Sequence, residues 1–192
     1  MSWTKSTELI LKNYYEISCG NVIAHEHTYL SFKKKGSCFS IPRIVLSGIL
    51  GSGSLGLEYV KNDSHKSYAL LFIGCLGLAN SLLGAISGFL KYEEQSGVHY
   101  QLAQQWNGLA RKIELQLKRP RHDRMNSDEF LEFAKQEFDK LAESSLPIPE
   151  QVILNFKKEY KNHNFAVPYY LNGMKEISIY RSEDDEEEQK KE

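Results

Sequence analysis

The sequence predicts an all-α membrane protein. Its centre is a two-span transmembrane helical hairpin, with long juxtamembrane cytosolic helices and a small C-terminal helical region. Three observations carry this expectation. Residues 67–90, SYALLFIGCLGLANSLLGAISGFL, contain no charged side chain. A second apolar stretch, 39–60, precedes them across the short polar link 61–66. The flanking segments repeat their apolar residues at steps of three and four, the helical period.

In chain order, residues 1–38 read as an N-terminal cytosolic helix. Leu9, Ile10, Tyr14, Ile17, Ile23 and Leu30 form a patchy apolar stripe that Gly20 is expected to interrupt. No apolar h-region follows Met1, so a signal peptide is not expected. His25 and His27 stand two residues apart and fall on different helix faces, which suits packing or solvation better than a shared metal.

Residues 39–60 hold Arg43 near one end and Glu58 near the other. As a helix they reach about 33 Å, enough for a hydrocarbon core of roughly 30 Å if both charged side chains snorkel to the headgroups. Residues 67–90 are the stronger span. Their seven Leu, two Ile and two Phe sum to roughly −5 kcal/mol of insertion propensity. Arg43, Glu58 and Lys91 are the expected membrane-interface residues.

Residues 91–120 read as one helix leaving the membrane. Val98, Leu102, Trp106, Leu109, Ile113 and Leu117 make its packing stripe, and His99 is expected to pack within it. The basic run 118–124 contains Pro120, which ends that helix, and suits either anionic headgroups or a solvated turn. Residues 126–161 hold two further helices. The first is capped by Asn126 and buries Phe130, Phe133, Ala134, Phe138 and Leu141. The second follows Pro149 and carries Val152, Ile153, Phe156 and Tyr160. Residues 162–192 read as an irregular segment with an acidic, disordered tail.

Composition narrows the function. The 192 residues carry a net charge of −1, so no basic field argues for nucleic acid. Mean hydropathy is −0.46, a soluble-looking average that conceals a chain with its apolar residues gathered at 39–90. Three cysteines without CxxC spacing support neither a disulfide framework nor zinc. Lys33, Lys34, Lys35 and Arg43 on one flank and Lys91, Arg111 and Lys112 on the other outweigh Lys61 and Lys66 in the link. The positive-inside rule therefore expects an integral, multi-pass protein with both termini cytosolic.

Gly51, Gly53 and Gly56 match GxGxxG, but no helix of the required length follows them and no acid stands about 20 residues on. Helix packing explains these glycines better. Ser47 with Gly51, Gly48 with Ser52 and Ser52 with Gly56 are small-xxx-small pairs, as are Gly77, Ser81 and Ala85, and Gly84 with Gly88. Several such faces on both spans predict a homo-oligomer. Asn80, mid-span, is expected to bond across helices or line a polar path. No nucleophile elbow, HExxH, P-loop or paired carboxylate set occurs, so no enzyme and no cofactor or metal is expected.

These residues resemble the SLATT domain family, a two-transmembrane effector domain associated with nucleotide-second-messenger systems. The resemblance lies in Ile41 and Pro42 opening the first span, in IVLSGILGSGSLG after them, and in the long second span. Glu94, His99, Leu102 and LARKIELQL at 109–117 look like the family's post-membrane segment, and Ala24 with His25 is similar to its upstream one. The likeness covers roughly residues 10–120. It implies a domain that oligomerises and perforates or perturbs a bilayer in answer to a sensor carried elsewhere. No sensor module is recognisable in this chain, whose stand-alone form would suit a eukaryotic or viral membrane. The alternative is a non-enzymatic adaptor that links a bilayer to a cytosolic or viral scaffold protein through residues 126–182.

Overall fold

A computed structural model of the chain describes residues 3–160 and 166–172. Among them there are helices and no strands: α1 (Lys5–Gly56), α2 (Asp63–Leu90), α3 (Tyr92–Lys118), α4 (Ser127–Ser144), α5 (Glu150–Glu159) and the short α6 (Tyr169–Asn172). Two stretches, one in α1 and one in α2, are long and apolar enough to cross a membrane, and neither is buried within the chain. The expected acidic tail and most of the irregular segment lie outside the described residues.

α1 departs from expectation in its continuity. It runs unbroken for 52 residues, about 78 Å, through both Gly20 and Pro42. Gly20 does not interrupt it, because the missing side chain is used: a Cβ there would stand 2.7 Å from Pro168 Cδ. Pro42 has no N–H to return to the Cys38 carbonyl, and the helix continues through it with that one bond missing.

The expected stripe on α1 is also corrected. Leu9 is 58% and Leu30 56% exposed. The buried face instead runs Leu11, Ser18, Asn21, His25, Thr28, with Tyr14 half-buried in the same register. This is a heptad-like spacing written largely in small polar residues.

The link between the two apolar stretches is shifted toward the N-terminus, to residues 57–62. A 3₁₀ turn at Leu57–Tyr59 follows α1. Asn62 then caps α2, its Oδ1 accepting from Ser64 N at 3.0 Å and His65 N at 3.4 Å, so residues 63–66 already form the first turn. At the other end of α2, Lys91 takes the left-handed conformation (φ 49°), and its N–H caps Ser87 O at 3.1 Å. A single residue thus separates α2 from α3.

By their contacts the residues fall into two units, whose borders lie within α1 and α3. One unit is 27–100. In it the two apolar helices pair as an antiparallel hairpin, with half-buried Arg43, Leu46, Leu50 and Gly53 recurring along α1, and Ile73, Leu76, Gly77, Asn80, Leu83, Gly84 and Ser87 along α2. Near the base of the hairpin sits an aromatic and lysine cluster. Phe32 lies 5.7 Å and Phe39 6.4 Å from the Tyr92 ring, Tyr29 lies 5.2 Å from Tyr100, and Lys35 Nζ stands over both Phe32 and Tyr92.

The other unit comprises residues before 27 and after 100. Its core unites Trp3 and Leu11, Trp106, Leu109 and Ile113 of α3, and Phe130, Ala134 and Leu141 of α4. The first helix of the expected C-terminal region, α4, therefore shares one core with the lead-in and exit helices. α4 begins where Asn126 predicts, its side chain accepting from Asp128 N at 3.0 Å. Phe133 is not an inward residue. It is partly exposed, with Lys112 Nζ 4.9 Å above its ring.

Candidate functional site

The hairpin seam gathers Arg43, Ser47 and Asn80 of the two apolar stretches. Asn80 Nδ2 donates to Ser47 Oγ at 3.2 Å. One turn away on each helix, the Arg43 guanidinium lies on Gly84, where a Cβ would stand 3.2 Å from Nη2 and 3.3 Å from Cζ. A Cβ there would push the guanidinium back by a few tenths of an ångström. Further toward the base, Ser40 donates to the Glu93 carboxylate. At the opposite end Gly53 meets the Ile73 side chain.

Arg43 also meets the facing helix. A snorkelling arginine would reach outward to the headgroups. Here the guanidinium sits opposite Gly84, six residues before the end of α2 and so about 9 Å along that helix. Glu58, by contrast, is exposed in the 3₁₀ turn, and Lys91 forms an exposed ion pair with Glu94 at 3.3 Å.

The small residues separate into two groups. Gly84 and Ser47 belong to the seam. Gly48, Gly51, Gly56, Gly77 and Gly88 would each accept a Cβ with nothing within 4 Å, as would Gly74. Ser52, Ser81 and Ala85 are exposed, and Ser52 bonds back to Gly48 O at 2.9 Å. The chain itself therefore leaves several of its small faces uncovered.

His99, Leu102, Trp106, Leu109 and Ile113 are all buried. His99 falls in the hairpin's unit, edge-on to Phe32 at 5.5 Å, and burial pushes its pKa down, favouring the neutral ring. The other four build the second unit, where Trp106 Nε1 donates to Ser145 Oγ at 3.0 Å. Among the described residues no group of His, Cys, Asp and Glu is arranged to hold a metal.

No family model, curated protein or solved structure matches this chain.

Two features of the second unit escaped sequence reasoning. One is a clamp on Glu8, whose carboxylate accepts from Arg121 at 2.7 and 2.9 Å and from Arg124 at 2.5 Å. These bonds hold its pKa down at about 2. The three-residue spacing of the two arginines was visible, but nothing marked an acid more than a hundred residues away. The other is a groove of about 770 Å³ lined by Ile17, Phe138, Leu146, Ile148 and Tyr170 among others, with no charged side chain. Tyr170 closes part of it, donating to Asn21 Oδ1 at 2.6 Å, and burial raises its pKa.

Proposed function

We propose that this chain is an oligomeric two-span membrane protein of SLATT-like type, acting on the bilayer as a pore or perturbing effector and not as an enzyme. One observation carries the reading. Inside an apolar hairpin, Gly48, Gly51, Gly56, Gly74, Gly77 and Gly88 present bare backbone that nothing in the chain covers. Lipid gives helices no hydrophobic reason to associate, so close backbone approach through small faces is how they meet. One hairpin cannot enclose water; several meeting through such faces can. The aromatic and lysine cluster around Tyr92 has the composition favoured at headgroup depth, which suits a base on the cytosolic side. The trigger, on this reading, is a sensor carried by another protein.

The test is reconstitution. The chain is expected to stay in the membrane pellet after alkaline carbonate extraction, to run as an oligomer in lipid nanodiscs and to release dye from liposomes. Replacing Gly77 and Ser81 with Leu keeps the span apolar, so insertion persists, while bulk on that face costs about 1–3 kcal/mol per contact. The double variant is expected to assemble poorly and leak less. Wild type in the soluble fraction would sink the membrane reading. An inserted wild type that leaks nothing would leave the adaptor reading, which the apolar groove beside α4 and α5 favours as a place for a scaffold protein.

A further inference from the structure

We propose that Arg43, with Ser47 and Asn80, forms an anion-binding site within the hairpin seam, and that Gly84 is glycine to seat it. The argument begins with an unneutralised charge. Arginine stays protonated in any protein environment. Among the described residues no carboxylate comes within ion-pairing distance of Arg43. Its Nε and the Oδ1 of Asn80 are both buried, and neither has a hydrogen-bond partner among the described residues.

A polar group removed from water and left unbonded is costly, and within a membrane the cost is higher still. Orphans of opposite kind, one helical turn apart in the same seam, point to something that satisfies both. A small hydrated anion does: the guanidinium, the Ser47 hydroxyl and the Asn80 amide donate to it, and Oδ1 accepts from its water. Arg43 is only half-buried, so part of the residue faces the flank of the hairpin. A cation finds a fixed positive charge there and is repelled. Rings of arginine are a known basis of anion selectivity in pores, and several hairpins would present several copies of Arg43.

The anion has two sources, a free ion or a lipid phosphate, and two measurements separate them. In zwitterionic vesicles the full chain is given a potassium chloride gradient, and halide entry is read with a quenched internal dye. Halide flux is expected to exceed potassium flux. Arg43→Gln is expected to lower halide flux about tenfold and draw the reversal potential toward zero, while Arg43→Lys retains the preference. In mixed vesicles containing an anionic phospholipid, native mass spectrometry reads retained lipid, which Arg43→Gln is expected to lose several-fold. Gly84→Leu, which unseats the guanidinium without removing charge, is expected to weaken whichever signal wild type shows. Helicity and carbonate resistance of each variant verify insertion. Only the conduction arm rests on the pore reading. Silent vesicles with lipid retention that depends on Arg43 overturn the pore and keep the site. Halide flux and lipid retention both indifferent to Arg43, or a conducting wild type that prefers potassium, overturn the site.

Discussion

Glu8 receives two guanidiniums, and the sign of its contribution follows from the direction of its pKa. Its folded value of about 2 lies below the ordinary 4.5. The stabilisation is therefore fully present above about pH 4.5 and is lost as pH falls toward 2. Thermal unfolding in detergent should show Glu8→Gln less stable than wild type at pH 7, with the gap closing across that interval; a gap independent of pH would contradict the clamp. Glycines offer a second contrast. Gly20→Ala brings a Cβ to 2.7 Å from the Pro168 ring, an overpacking worth about 1–3 kcal/mol against a helix-propensity gain of about 1. Gly108 has open space around it, so Gly108→Ala collects the gain alone. Denaturant midpoints should move down for the first and up for the second.

Among elements, those written in apolar periodicity or cap chemistry were legible. The apolar core of 67–90, the start of α4 at Asn126 and the start of α5 after Pro149 all fall where the residues place them. What was not legible is the register of α1, because Ser18, Asn21, His25 and Thr28 do not look like a buried face. Apolar patterning assumes that water-avoiding side chains mark the interior, and a face of small polar residues bonding locally defeats it: Ser18 Oγ donates to Tyr14 O at 2.6 Å and Asn21 Nδ2 to Ile17 O at 3.0 Å. Seam partners such as Arg43 and Gly84 were equally hidden, since each residue's role depends on a helix it meets only after folding. The joint between α2 and α3 was missed too, there being no glycine at 91 to announce it. Lys91 in the left-handed region costs about 1–2 kcal/mol relative to right-handed backbone. Lys91→Val should lower stability by at least about 1 kcal/mol, as a β-branched side chain tolerates that conformation less well. Lys91→Gly should lose nothing, because relief of strain offsets an exposed ion pair worth little. Unfolding of both variants in detergent checks the order; equal losses would refute it.

For the molecule as a whole, the two apolar stretches are unequal partners, and the second is the more apolar. A chain ended after residue 60 should therefore wash out of the membrane under alkaline carbonate, while one carried through Lys91 should stay; retention of the shorter chain would show the first stretch to be self-sufficient. The seating of Arg43 on Gly84 adds a clock to this inequality. The two residues are 41 positions apart in the chain. At 5–20 residues per second, a ribosome makes the seat about 2–8 s after the arginine that occupies it. During that interval the nascent first helix carries a charge with no place to rest. Its safe-keeping falls to whatever lies at the exit of the translation machinery, so on the membrane reading proposed above the speed of elongation through 44–84 becomes a determinant of how much protein inserts intact.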